Sequence, residues 1–326
     1  MVVEVCSSLR NDYVMFSFYE AARGVLLHNR IGQNSGIFQK NINIPKCLLL
    51  FFEENHTLHE DEIKRTVKES YSKIWQSKGT CCSPSESPKV IRLSEQTVHE
   101  ALLNEIMPLE GKRILDVGCG DGETVLKIAK EVGPNGKAVG IDFSPEGIAN
   151  AKKKAIEFGL DKVTEFRVAD AEKLPFGDNY FDDVISECVV CLTPNKQKAL
   201  NEKARVLKPG GKIVMHDVIS RARMPESVQK NPELYCGCIG GAVSQDDYAK
   251  MLKQAGLTEV KTVNYSEEPA IHGRSISIKR ALDSQILLAA TDIKDEKGFQ
   301  EVVNFVRKGG VGYAVFTAKK PITNKR

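Results

Sequence analysis

This 326-residue chain lacks a long apolar run, a strong net charge and a secretory leader. Its longest apolar stretch, Cys47-Leu-Leu-Leu-Phe-Phe52, falls far short of the roughly 20 residues that span a bilayer. That stretch also lies behind a mixed polar segment, too far from the start to be a secretory signal. The formal charge of +3 is small for the length, and acidic and basic residues are interspersed, so there is no basic footprint for nucleic acid. There is no internal repeat, and residues 1–58 carry no core-forming periodicity. No Ser-His-Asp or paired-carboxylate constellation stands out. Cysteine is the exception: there are nine, an odd number, and without a secretory signal they argue against a disulfide framework. A cytoplasmic, soluble protein with neither membrane nor nucleic acid as partner is expected. Its 41% apolar residues are ample for a core.

What is present begins with Arg113-Ile-Leu-Asp-Val-Gly-Cys-Gly-Asp-Gly122. A short apolar strand ends in a glycine turn, and apolar Val125, Ile128 and Ala129 then mark a helix with one buried face. Glycines at such a turn admit a ligand close to the backbone and tolerate positive φ. Lys137-Ala-Val-Gly-Ile-Asp142 reads as a second strand ending in a carboxylate, about 20 residues on, where a doubly wound sheet offers an acid to ribose hydroxyls. A dinucleotide turn needs Gly-x-Gly-x-x-Gly around a phosphate. Here Gly118, Gly120 and Gly122 stand two apart between Asp116 and Asp121, which would repel phosphate and favour a ligand carrying positive charge. That points away from nicotinamide cofactors and toward S-adenosylmethionine. With Asp142, Val168-Ala-Asp-Ala171 and Arg205-Val-Leu-Lys-Pro-Gly-Gly211, the string resembles the class I methyltransferases from about Gly111 to Glu259. The resemblance implies an α/β, Rossmann-like sheet. It implies Asp116, Gly118 and Gly120 around the methionine moiety, Asp142 at the ribose, and Asp170 with Ala171 at the adenine edge.

Alternating periodicities predict strands at 113–117, 137–141, 163–168, 181–187 and 211–217, with helices at 122–131, 145–158 and 195–207, hence a parallel sheet covered on both faces. A helix near 244–255, a strand near 257–264, a helix at 297–307 and a terminal strand at 311–317 follow. Ahead of the core, Ile63, Val67, Tyr71, Ile74 and Trp75 share a helical face from Glu60 to about Ser77, suited to lie across the cofactor pocket. Residues 93–109 read as a further helix. The expected organisation is a leader at 1–58 and an N-terminal helical extension at 59–110 carrying a Cys81/Cys82 loop. The methyltransferase core occupies 111–260 and a C-terminal α/β addition 261–326.

The cysteines divide the functional readings. Cys6, Cys47 and Cys119 suit buried small hydrophobes. Cys188 ends the fourth strand, at the sheet edge where ligands bind. Cys236-Gly-Cys238 follows the fifth strand and can converge on the same pocket. The group admits three readings: inert buried thiols, a structural zinc site using the Cys188-x-x-Cys191 pair, and a thiophilic substrate held by two or three thiolates. Ser186-Glu-Cys188 with Leu192-Thr-Pro-Asn-Lys196, and Cys238-Ile-Gly-Gly-Ala242, resemble the arsenite methyltransferases, with Asn195 where that family has aspartate. Val67-Lys-Glu-Ser-Tyr71 and Thr80-Cys-Cys82 resemble the family's N-terminal cysteine region. A further family cysteine, in a Tyr-Gly-Cys-Gly element, has no counterpart between Ser83 and Val117. The resemblance implies trivalent arsenic bound by Cys188, Cys238 and Cys82 or Cys81. It also implies an external thiol reductant, with a thioredoxin-like protein as one candidate partner. The alternatives are a small-molecule C- or O-methyltransferase with incidental cysteines and a non-catalytic metalloid binder. His216 and Asp217 are tempting as acid and base, but binding to backbone is the plainer reading.

Overall fold

Strand β1 (Arg113–Val117) lies at the centre of a parallel sheet because its residues are apolar on both faces. A computed structural model of the chain describes residues 46–76, 102–229, 232–264 and 296–322. The chain divides into two units, residues 1–53 and 54–326. Of the first, only the start of helix α1 (Lys46–Gln76) is described. The second holds β1, α2 (Glu123–Glu131), β2 (Lys137–Asp142), α3 (Pro145–Glu157), β3 (Thr164–Val168), β4 (Phe181–Glu187), α4 (Lys196–Val206) and β5 (Leu207–Ser220). Short helices α5 (Glu226–Gln229) and α6 (Pro232–Cys236) come next, then β6 (Val243–Ser244), α7 (Gln245–Gln254), β7 (Thr258–Asn264), α8 (Glu296–Arg307) and β8 (Val311–Lys319).

The strand order is β3-β2-β1-β4-β5-β8-β7, with β6 paired to the end of β5. Strands β1 to β5 run parallel, and β8 enters antiparallel between β5 and β7. Successive residues face opposite sides of a strand, and two cores follow from that alternation. Leu115, Val117, Val184, Met215 and Phe316 pack with Leu200 of α4 and Tyr248 and Leu252 of α7 on one face. Ile114, Ala138, Ile185, Val214 and Val315 pack with Val125, Ile128, Ile148 and Ala151 of α2 and α3 on the other. Each fully buried large aliphatic stabilises the sheet by about 1.5–3 kcal/mol. A third cluster, including Val218, Val228, Leu234, Val302 and Phe305, supports the thiols described below.

The predicted elements recur with small shifts, and two differences have local causes. The helix expected to end at Leu109 ends at residue 104 instead, and Pro108 disfavours helical geometry at Met107, so the expected last turn does not form. Strand β5 starts at Leu207 rather than 211, since Leu207 pairs with Phe181 across a register shift before regular pairing resumes at Lys212. Helix α1 begins well upstream of Glu60. The boundary drawn between residues 260 and 261 falls inside β7, so the C-terminal segment supplies strands to the sheet. Caps fix the helix starts: Ser144 accepts from Gly147 N at α3, and Asn195 accepts from Lys198 N at α4. Asparagine and aspartate cap equally well, so Asn195 keeps the geometry an aspartate would give.

Candidate active site

Strand ends and α1 enclose a cavity of about 460 Å³, a size typical of small-molecule sites. The glycine turn forms its floor. Gly118 N and Cys119 N both donate to Ile141 O, at 2.7 and 2.9 Å, which folds the turn against β2. Gly118 and Gly120 have φ of +82° and +53°. A Cβ at 118 would lie 2.2 Å from Val189 Cγ2, and one at 120 would lie 2.5 Å from the Trp75 ring. Asp142 ties the turn to α3: Oδ2 accepts from Gly120 N and Oδ1 from Ser144 N, both at 2.8 Å. Each carboxylate oxygen keeps a further lone pair for a ribose hydroxyl. Burial raises the Asp142 pKa, against the pull of those N–H groups. Asp116 is buried and lines the cavity. Asp121 also lines it but is paired with Lys154, so the charge repelling a phosphate comes from Asp116 and Asp142 rather than from both flanking acids.

Helix α1 closes one side of the cavity, as its apolar face predicts, through Val67, Tyr71, Ile74 and Trp75. Lys64 Nζ reaches Asp170 Oδ2 and Glu172 Oε2, each at 2.8 Å. Buried Glu172 also accepts from Asn195 N at 2.9 Å, which ties α1 to the start of α4. Asp170 and Ala171 line the cavity as expected for an adenine edge, but the Asp170 carboxylate is also the anchor for Lys64. The Trp75 side chain lines the cavity, and its buried Nε1 has no hydrogen-bond partner among the described residues.

The thiols lie opposite. Cys188 and Cys238 both line the cavity, and Cys238 Sγ is 3.7 Å from the Cys188 carbonyl oxygen. Their backbone φ values are +50° and +68°; Asn179 and Glu259 are the other positive-φ non-glycine residues described. A left-handed non-glycine costs on the order of 1–3 kcal/mol and persists where the surroundings over-determine it, typically at functional sites. The surroundings here are close. A Cβ on Gly241 would lie 1.9 Å from Cys191 O, so the Gly-Gly pair lets the 236–242 loop seat against the turn after β4. Tyr71 Oη donates to Cys236 O at 3.2 Å and lies 3.8 Å from Cys238 Sγ. Cys238 is held well below the ordinary thiol range, because the Cys188 and Cys191 thiols hydrogen-bond to its sulfur. Cys188 is held well above that range, first by its hydrogen bond to Cys238 and then by burial. Cys119 is a packed residue against Gly140, and burial pushes its thiol up.

Asp217 binds backbone, as the plainer reading has it: it accepts from Cys191 N at 3.1 Å and from Val218 N at 2.9 Å. Among the described residues, no group of three or more His, Cys, Asp and Glu side chains is arranged to hold a metal ion. Cys81 and Cys82 lie outside the described residues. Lys64 and Lys203 escaped the sequence reading because burial and tertiary partners, not spacing, set them apart, whereas spacing marked Cys191 only as one half of a zinc pair.

These residues fit S-adenosylmethionine. The turn has no Cβ in the way, Asp116 and Asp142 suit cationic and hydroxyl groups, and Trp75 offers an unused donor. Residues 108–256 match the family described as a methyltransferase domain. A ubiquinone/menaquinone biosynthesis C-methyltransferase of Rickettsia felis is 34% identical over 49% of this chain and 74% of its own length. The chain belongs to the class I methyltransferases. The chain is also 39% identical to an arsenite methyltransferase of Halobacterium salinarum, over 46% of this chain and 38% of that enzyme. It spans less than two thirds of the length of the arsenite methyltransferases it matches. Within the same fold, a solved geranyl diphosphate C-methyltransferase from Streptomyces coelicolor superimposes with a TM-score of 0.55 at 18% identity, covering 73% of this chain and 86% of that one. No described helix is long and apolar enough to cross a membrane.

Proposed function

We propose that this methyltransferase transfers a methyl group from S-adenosylmethionine to trivalent arsenic held by Cys188 and Cys238, with a third thiolate from Cys82 or Cys81. The observation that carries the reading is two cysteines in left-handed backbone, on separate loops, lining the cavity that also contains the glycine turn. Bound S-adenosylmethionine supplies the electrophilic methyl. Asp142 holds its ribose, Asp116 and the Gly118–Gly120 turn its methionine end, and Asp170 with Ala171 its adenine edge. Soft thiolates suit a thiophilic centre. Arsenic bound to three of them keeps a lone pair, so its attack needs no general base. Positioning the two reactants can then supply about 7–11 kcal/mol of the barrier. Transfer removes two electrons from arsenic, and an external thiol reductant, a thioredoxin-like protein being one form, returns them. The free thiols of Cys119, Cys188, Cys191, Cys236 and Cys238 suit a reducing, cytoplasmic setting. On this reading residues 59–110 are the extension that carries Cys81 and Cys82.

Cys188→Ser and Cys238→Ser should each abolish conversion of arsenite in an assay with labelled S-adenosylmethionine and a thiol reductant, while cofactor affinity stays near the parent value. Serine matches the volume but stays protonated and is a poor ligand for a soft centre. Variants that methylate arsenite at the parent rate would overturn the thiolate site. A parent protein that methylates carbon or oxygen acceptors and no arsenite would favour the likeness to the C-methyltransferases.

A further inference from the structure

Lys64 does more than seat α1. Its Nζ donates to Asp170 Oδ2 and to Glu172 Oε2, each at 2.8 Å, and the shared ammonium offsets the repulsion between those two carboxylates. The two acids differ in freedom. The Glu172 side chain is 1% exposed, and its other oxygen accepts from Asn195 N at 2.9 Å, so it is fixed to the start of α4. The Asp170 side chain is 30% exposed, and apart from Lys64 it is held by the local bond to Oδ1 from Glu172 N at 2.8 Å. Each Asp170 oxygen thus has one donor and keeps a lone pair. Asn195, Glu172, Lys64 and Asp170 form a chain of hydrogen bonds, and its last three members line the cavity with Ala171. Take the ammonium away, and Asp170 is the acid free to turn toward solvent.

We propose that Lys64 is a positioning residue for base recognition: it holds the Asp170 carboxylate so that a purine with an exocyclic amino group is accepted and one with an oxo group is rejected. The inference rests on the reading of Asp170 as the adenine edge. An amino group donates to a carboxylate, whereas an oxo group sets lone pairs against lone pairs. That contrast discriminates only while the carboxylate stays in place, since an acid that swings to solvent lets the oxo base in. Sites whose polar groups are committed to one partner reject the wrong one most strongly. Lys64 supplies the restraint from α1 without having to touch the ligand. The helix that closes the cavity therefore also fixes the group that reads the base. Glu172, anchored at Asn195, gives the restraint a rigid footing in the core.

Titration calorimetry on the full-length protein compares S-adenosylhomocysteine with S-inosylhomocysteine, in which an oxo group replaces the amino group of the base. The parent should bind the adenosyl compound about 100-fold more tightly, the scale of one charge-assisted hydrogen bond exchanged for two facing acceptors. In Lys64→Met that ratio should fall below about tenfold. Lys64→Gln, which keeps a polar stem without the charge, is a second variant, and circular dichroism checks that both fold. Loss of a merely structural contact would weaken both ligands together, so a ratio that stays at the parent value overturns the proposal. Asp170→Asn separates this inference from the reading beneath it. A large parent ratio that collapses in Asp170→Asn but holds in Lys64→Met removes Lys64 alone. A parent ratio near one removes Asp170 from the adenine edge, and the proposal with it.

Discussion

In the proposed site Asp142 would join two roles in one carboxylate, since the atoms that would meet a ribose also hold the glycine turn through Gly120 N and α3 through Ser144 N. Asp142→Ala should therefore lower S-adenosylmethionine affinity by about 1.5–3 kcal/mol, or one to two decades, and also lower the melting temperature because two N–H groups lose their acceptor. Titration calorimetry and thermal unfolding separate the two effects; unchanged binding by a folded variant removes Asp142 from the site. Lys203 makes a second test. Its side chain is fully buried under the sheet, Nζ has no hydrogen-bond partner among the described residues, and burial pushes its pKa down to about 8 from 10.5. Between those pH values the unfolded chain holds a proton that the folded chain has released, so the parent gains stability as pH rises from about 8 to 10.5. Lys203→Met has no such slope. The variant's stability relative to the parent should fall by roughly 3 kcal/mol across that window, measured by urea unfolding at its two ends. A constant difference would mean that the amine titrates normally. Asp142 was legible because strand periodicity and its distance from the turn are sequence properties. Lys203 was not: it looks ordinary in its own segment, and its burial arises from residues far along the chain.

Among the described glycines, Gly241 in the loop at residues 236–242 leaves the least room for a Cβ, 1.9 Å from Cys191 O. Gly241→Ala would drive a Cβ into the Cys191 carbonyl, a backbone atom that Lys196 also holds, so the loop itself must move. Overpacking of this kind costs about 1–3 kcal/mol, and it should separate Cys238 from Cys188. The expected outcome is a folded protein that binds S-adenosylmethionine but has lost its affinity for a trivalent arsenical, read by arsenic fluorescence quenching or mass spectrometry. Retained arsenical binding would show that the thiols do not depend on this contact. Sequence pattern found the extents of β1 and β4 because both are short and carry apolar residues between turn residues. It placed the start of β5 late because Pro209 and Gly210 read as a turn, whereas the strand pairing begins ahead of them at Leu207. The Gly-Gly pair signalled a close approach, but which backbone it approaches could be seen only in three dimensions.

For the whole molecule, a parallel sheet with both covering layers followed from alternating periodicities, whereas the strand order came from the structure and the seating of α1 on the core depends on Lys64, Tyr71 and Trp75 meeting distant residues. Among the described residues, the contacts of α1 with the cavity and with Asp170 and Glu172 begin at Lys64. A chain starting at Leu58 should therefore stay folded and bind S-adenosylmethionine within a factor of about three of the full chain, a difference under 1 kcal/mol. Aggregation, or loss of binding in calorimetry, would show that earlier residues support the catalytic unit. Strand β8, between β5 and β7, makes the opposite end of the chain indispensable to the sheet.

Trp75 is the single tryptophan of the chain, and it forms part of the cavity wall against Gly120. Indole emission from this protein therefore comes from one site. Filling the cavity should change the polarity around that ring and give its Nε1 a partner, shifting the emission maximum and intensity without any label. A titration of the unmodified protein with S-adenosylmethionine would then report occupancy optically, and Trp75→Phe should silence the signal. The same light should follow cofactor binding in stopped flow, which makes the chain its own probe for the order in which its reactants arrive.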